Sequence, residues 1–592
     1  MKVIALIKRH FINEISQFTK TELTILMLVL TFLVCSRLSL IQYFPAALTH
    51  DELVYAAQAK AMAITGKTID QAHYSWSLQP LHPMYAELPG VLMIPFFKVF
   101  SNPLIATRAL SLLFGILFPF VLSGFFYEWF VSKRIAYASL LLASVNPLLW
   151  QMSRLMYDAP YSVIFYLLGG IIFLRAKSKS MIAFSFLAMI LGFLGYQGYK
   201  LLFLPWIALL IWKKSQGTLK KVNKLDWFFG ITCLSVFAFY SFFMLPNQII
   251  ENRFNSTIFA NNDYLSSQVN EERRLSLQNP FVKVFSNKFT IAVKFTVDKF
   301  INAFNSNTLF WTGEPAQSKF AVWGHGWFYV IDFLLIIFGL ISMGYNKKYC
   351  KSGIALLCFI AFSTLPSLVN SGNSWYLLRM FFPNILLLGI LSLGIILVAK
   401  SRLLLMAFAS VYMLSVIYFG YYYYYRYPIL GQNTGYVSER VIVDYINRVR
   451  RTDVNTPIYV HTVDVPVMLW SYIIYSDFYT KETAREIAQF SGKDDVHINN
   501  IIFTTKCADP TQSGIVVNEA WRIPCDHVDK TKLVSLSIPS IVDNGTYWNI
   551  YNDFMCGDFA NRPFIAVNSI SDFDLERQSN EKFCNQWLAK FN

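Results

Sequence analysis

The chain has 592 residues, of which 55% are hydrophobic, 17% aromatic and 15% charged; soluble globular domains carry about a quarter of their residues as charges, so most of this chain belongs in lipid. The formal net charge of +15 sits mainly at every second junction between apolar runs, as at Lys8, Arg9, Lys133, Arg134, Lys213, Lys214, Lys347, Lys348, Lys400 and Arg402. Basic residues placed this way mark cytoplasmic junctions, which argues against a nucleic-acid-binding patch.

Apolar runs able to cross a bilayer, which takes roughly 20 residues, recur near 22–44, 105–130, 135–151, 159–175, 181–197, 200–212, 225–245, 326–344, 352–369, 376–399 and 403–424. The first is too long for a signal-peptide core and lacks a small-residue cleavage site, so it reads as an uncleaved anchor. The predicted fold class is an α-helical multipass membrane protein of about eleven transmembrane helices, with its N-terminus in the cytoplasm. Residues 1–426 form the transmembrane domain, with outer loops at 45–104 and 246–325, and an odd number of crossings puts 427–592 outside.

That tail reads as a small extracytoplasmic α/β domain, because helical periodicity at 437–450 gives way to β-prone runs at 457–463, 501–505 and 514–517. Of the eight cysteines, Cys507, Cys525, Cys556 and Cys584 fall in it. An even set in an oxidising compartment predicts two disulfides, and free buried thiols are the alternative. No CxxC pair occurs there to suggest zinc.

The first outer loop opens with THDELVYAAQAKAMAITG (49–66), an acidic pair followed by an amphipathic helix whose apolar face is expected on the membrane. Asp51 or Glu52 is either a general base or the cap of that helix, and spacing leaves both open. His50, His73 and His82 are scattered without an HxxxH-like spacing, so no metal is expected. Arg154 and Asp158 stand four apart in WQMSRLMYDAPY (150–161), Lys200 closes GYQGYK (195–200), and Arg379 lies in NSWYLLRMFFP (373–383). Singly, each cation is explained by snorkelling. Together with Arg108, four cations at outer helix ends facing an acidic loop point to a site for an anionic lipid headgroup, with Arg379 among the donor-phosphate contacts.

The chain also carries, in order, the DE pair after the first span, HPMY (82–85) in the first loop and Arg108 followed by SxxxG (Ser111, Gly115). Next come Ser153-Arg154 with Asp158, the turn bearing Lys200, and FWTGEP (310–315) with GHGWFYVIDFLLIIFGL (324–340). LPSLVNSGNSWYLLRMFFPNI (365–385) and YYYYYRYP (421–428) complete the set. This series resembles the GT-C membrane glycosyltransferases, more narrowly the branch of protein O-mannosyltransferases and lipid A aminoarabinose transferases, over about residues 20–428.

The resemblance implies a polyprenyl-phosphate sugar donor and an outer-facing site in which Asp51 is the base with Glu52 beside it. It places Arg154, Asp158 and Lys200 on the lipid-phosphate side, and His82, which precedes Pro83, at a phosphate contact. The implied reaction is an inverting displacement that needs no metal, delivering a sugar to an extracytoplasmic glycan, lipid or protein, in a cell-envelope membrane such as the bacterial inner membrane. A transporter or flippase for lipid-linked sugars is the rival, but transporters gather charge at the bilayer midplane and show repeated halves. Here charge gathers at outer helix ends, and no internal repeat is visible.

Overall fold

The computed structural model describes residues 19–590 apart from 79, 81–84, 217–221, 245–256, 258–261, 278, 315–319, 321, 371–375, 432–435, 491–492, 508–512, 522–535, 541–544, 558–566 and 568. The first helix, α1 (Lys20–Leu38), starts at a capping box in which the Glu22 amide donates to Thr19 Oγ1 at 3.2 Å and the Thr19 amide to Glu22 Oε2 at 2.9 Å. Two helices of the first loop follow, α2 (His50–Thr65) and α3 (Leu88–Val99). The long α4 (Pro103–Phe130) begins where the Asn102 side chain accepts from the Ile105 amide and Pro103 occupies the first turn.

Helices α5 (Lys133–Val145), α6 (Asp158–Arg175), α7 (Lys179–Phe193), α8 (Phe203–Lys214) and α9 (Lys224–Phe239) continue the bundle. The segment 246–325 contributes α10 (Asn262–Arg274) and α11 (Lys288–Ala303). Then come α12 (Val330–Tyr345), α13 (Lys347–Phe362), α14 (Leu377–Val398) and α15 (Arg402–Tyr421).

Among the described residues, seven helical stretches are long and apolar enough to cross a membrane: Lys20–Leu38, Pro103–Phe130, Asp158–Arg175, Lys224–Phe243, Lys347–Leu368, Leu377–Val398 and Arg402–Leu430. The other four expected spans fall on the shorter helices α5, α7, α8 and α12. α14 is the most buried of the seven, with 83% of its apolar 18-residue window inside the bundle, while in Arg402–Leu430 that share is 6% and the buried aromatic side chains, Phe419, Tyr422, Tyr423 and Tyr427, lie toward its C-terminal end. Close packing of α12 on α14 depends on Gly394, where a Cβ would come within 2.1 Å of the Leu335 carbonyl oxygen.

The tail builds α16 (Val437–Thr452), α17 (Val465–Tyr475) and α18 (Asn580–Trp587) around a six-stranded sheet. Its strands are β1 (Ile458–His461), β2 (Asp495–Ile498), β3 (Ile501–Thr504), β4 (Ile515–Glu519), β5 (Leu536–Pro539) and β6 (Thr546–Tyr551), in the order β2-β3-β1-β4-β6-β5. β1 runs parallel to both β3 and β4, and the remaining pairs are antiparallel. Asn499, at φ +49°, turns β2 into β3, a left-handed position that Asn tolerates. A disulfide joins Cys556 to Cys584; Cys507 is also disulfide-bonded, and Cys525 lies outside the described residues.

The expectation that α2 rests one apolar face on the membrane is corrected here. Its residues from Glu52 to Ala59, with Ala61 and Met62, are all buried. The run AAQAKAMA is narrow enough for α3 to pack on one side and α17 on another. The resulting core is continuous from Leu53 and Ala57 of α2 to Val441 of α16 and Ile473 of α17.

Candidate functional site

The acidic pair at the start of α2 divides into two different roles. Glu52 closes the first turn, accepting the Thr49 amide at 3.0 Å and, from across the bundle, the Met156 amide at 2.9 Å. It also pairs with Arg108 of α4 at 3.1 Å, both side chains being fully buried. Arg108 spends its other donors on the carbonyls of Pro45 at 2.6 Å and Ala47 at 2.7 Å. A buried ion pair whose partners are all satisfied holds the chain between α1 and α2 in one path. These contacts give Glu52 a structural role at the start of α2.

Asp51 is left free of the capping role, with 23% of its side chain exposed. The Tyr85 hydroxyl lies 3.3 Å from its Oδ1 and 3.0 Å from His50 Nδ1. Burial first, and then the charge of Asp51, push the Tyr85 hydroxyl pKa up, so it stays protonated as a donor. The ring of Tyr85 meets Tyr55 edge-on at 5.3 Å, and the Tyr55 hydroxyl donates to Asp158 Oδ2 at 2.8 Å while accepting the Ala86 amide at 2.9 Å. Two tyrosines thus bridge the accessible carboxylate of Asp51 and the buried one of Asp158, which the structure brings together across 107 positions of sequence.

Lys200 joins this group through Glu87. Its Nζ is 2.6 Å from Glu87 Oε1, which also accepts from the Tyr240 hydroxyl at 2.6 Å. Gln197 spans the same acid, at 3.3 Å, and the Tyr85 carbonyl, at 2.8 Å. Glu87 Oε2 is buried with no hydrogen-bond partner among the described residues. In the sequence, Glu87 and Tyr55 carry no assigned role and Tyr85 appears only within a motif; the available signal was an acid inside YAELPG (85–90), between two apolar stretches.

Arg379 donates to Asn370 Oδ1 at 2.8 Å and lies over the Tyr376 ring. Lys299, another residue missed in the sequence, donates to the Asn370 carbonyl. Burial, and secondarily Arg379, bring the Lys299 pKa down to about 8. Tyr376 packs on Phe320, Phe320 packs on Tyr157, and the Tyr157 hydroxyl reaches Thr49 Oγ1 at 3.2 Å, so this cationic corner abuts the start of α2. Nearby, Glu314 accepts the Leu377 amide at 2.6 Å, and burial pushes its carboxyl up to about 8.

Arg154 is placed differently. It is fully buried, and its terminal nitrogens donate to the carbonyls of Arg37 at 2.8 Å, Ser39 at 2.7 Å and Phe44 at 2.8 Å. Those donors tie down the link from α1 to α2. His82 lies outside the described residues. Among the described residues, no group of three or more His, Cys, Asp or Glu side chains is arranged to hold a metal ion.

No family model and no curated protein sequence matches the chain. Among solved structures, it is similar to ArnT from Cupriavidus metallidurans bound to undecaprenyl phosphate, at 12% identity over 90% of this chain and 98% of that one, with a TM-score of 0.46. The apo state of the same protein gives 10% identity, coverages of 86% and 95%, and a TM-score of 0.37. The oligosaccharyltransferase of Archaeoglobus fulgidus, tethered to an acceptor peptide containing an NVT sequon, gives 11% identity over 84% of this chain and 69% of that one, with a TM-score of 0.41.

Proposed function

We propose that the protein is a membrane glycosyltransferase that moves a sugar from a polyprenyl-phosphate carrier to an acceptor outside the cytoplasm. The observation that carries this reading is the pairing of a partly exposed carboxylate, relieved of its capping duty, with a second carboxylate and a lysine linked to it through Tyr85, Gln197 and Glu87. Asp51 takes the proton of the acceptor hydroxyl as that oxygen attacks the anomeric carbon, and the carrier phosphate leaves from the opposite face. Inversion follows. Tyr85 orients Asp51, and Asp158 is the second acid of the pocket. Lys200 and Arg379 meet the charge returning to the phosphate, the step that most needs electrostatic help. Lys200 exchanges Glu87 for the phosphate when donor arrives, because its ammonium is paired with that acid here.

In this reading the chain crosses the membrane eleven times, with the shorter helices α5, α7, α8 and α12 completing the set. The N-terminus is cytoplasmic and the tail lies outside, where an oxidising compartment suits the Cys556–Cys584 disulfide. Purified protein incubated with labelled polyprenyl-phosphate sugars and envelope extract tests the proposal. Acceptor-dependent release of the polyprenyl phosphate, with a product of inverted anomeric configuration by NMR, is the expected result. No release from any carrier-linked sugar would refute the proposal.

A further inference from the structure

A cleft of about 600 Å³ opens between the C-terminal half of α2, the turn from α3 to α4, and the tail helices α16 and α17. That volume is within the range of small-molecule sites, which favour such seams between structural units. It is separate from the carboxylate pair: at about 1.5 Å of helix rise per residue, Ile64 in the cleft wall lies about 20 Å along α2 from Asp51.

The rim of the cleft is rigid. Lys60 donates to the carbonyls of Ile473 at 2.7 Å, Ile474 at 3.3 Å and Ser476 at 3.0 Å, capping the C-terminal end of α17. Arg450 donates to the Tyr472 hydroxyl at 2.9 Å, and Asn447 to the Tyr475 carbonyl at 3.0 Å. Against this frame the lining alternates in character. Phe97, Phe100 and Phe478 supply aromatic faces, while Arg451, Asp477 and Glu576 are exposed charges of both signs.

This mixture selects among ligand classes. A lipid chain wants an unbroken apolar wall, and a polyphosphate wants cations without carboxylates beside them. A saccharide presents C–H faces that pack on rings and, around its edge, hydroxyls that donate to carboxylates and accept from guanidinium groups. We propose that the cleft binds an oligosaccharide, as the distal part of the acceptor. Its role as acceptor site rests on the glycosyltransferase reading; its chemistry as a saccharide site does not.

The test is saturation-transfer NMR on the purified full chain, probed with mannose-, glucose-, galactose- and N-acetylglucosamine-based tetrasaccharides and hexasaccharides. At least one series is expected to bind. Asp477→Asn combined with Glu576→Gln, both at exposed positions, weakens that binding by about tenfold or more through loss of charge-assisted hydrogen bonds. Asp51→Asn, remote from the cleft, leaves the affinity within about twofold. The assignment is overturned if no saccharide in the panel binds, or if the double variant binds it as well as the wild type. Saccharide binding that depends on the cleft, in a protein that never transfers sugar from a polyprenyl phosphate, would refute the proposed function and leave the cleft assignment standing. Transfer without cleft-dependent binding would do the reverse.

Discussion

At the scale of single residues, two arginines that look alike in the sequence as cations at helix ends do different things from Lys200. Sequence shows that Arg108 and Arg154 stand near membrane boundaries, but not that the carbonyls of Pro45, Ala47, Arg37, Ser39 and Phe44 converge on them. The same limit separates Asp51 from Glu52. Adjacency in sequence left both open as base or cap, and the partners that hold Glu52, Arg108 and Met156, lie 56 and 104 positions away. Two contrasting outcomes follow. Lys200→Ala lowers donor use by the folded fraction roughly 10- to 150-fold, the value of a lost charge-assisted hydrogen bond of about 1.5–3 kcal/mol, and it also lowers the melting temperature, because it leaves the buried Glu87 carboxylate without its cation. Arg154→Ala lowers the melting temperature and leaves the donor KM of the folded fraction unchanged, because it strips three carbonyls, two of them in buried contacts, of their donor. Steady-state kinetics of both variants separate the two roles; a donor KM raised in both would put Arg154 back at the phosphate.

At the scale of elements, the helices of the bundle were legible because long apolar runs leave few alternatives, and β1, β3 and β4 because their runs are rich in Val and Ile. β2, β5 and β6 were not, since DVHI, LSIP and TYWNIY mix polar and apolar residues and gain their burial from neighbouring strands. The burial of α2 was hidden for a related reason: an alanine-rich helix shows its packing only once its partners are known. Gly115, quoted in the sequence only as part of SxxxG, is where α4 meets the chain at Ser153, with a Cβ there falling 2.1 Å from Ser153 Cβ. Gly115→Ala is expected to destabilise by about 1–3 kcal/mol, as overpacking does, and a melting temperature equal to wild type would show that this contact yields.

Glu314, which accepts the Leu377 amide at the start of α14, gives a pH signature. Its folded pKa of about 8 exceeds the ordinary value of 4.5, so the folded state holds the proton more tightly between those values. Stability from this group is fully present below about pH 4.5 and is lost as pH rises through about 8. Glu314→Gln, which cannot ionise, should melt close to wild type at pH 4.5 and above it at pH 8. Parallel melting curves across that range would exclude the titration.

At the scale of the whole molecule, the division at residue 426 read from composition does not coincide with a division of the core. Composition changes there, but Lys60 ties α2 to α17, Arg440 reaches the Ala46 carbonyl, and the Leu48 amide donates to the Tyr475 hydroxyl at 3.0 Å. Residues 427–592 expressed alone would uncover the side chains that face Leu53 and Ala57, and are expected to show no cooperative unfolding transition by circular dichroism. A sharp transition in that fragment would establish it as an independent unit.

The proposed reaction depends on Asp51. Asn accepts a helix-capping hydrogen bond about as well as Asp but cannot take a proton from an attacking hydroxyl. The decisive measurement is single-turnover transfer from a labelled polyprenyl-phosphate sugar by purified Asp51→Asn, with donor affinity and melting temperature measured on the same preparation. Transfer should fall roughly 100- to 10,000-fold, the usual contribution of a positioned general base, while affinity and stability stay near wild type. Transfer at close to the wild-type rate would contradict the assignment of Asp51 as the base.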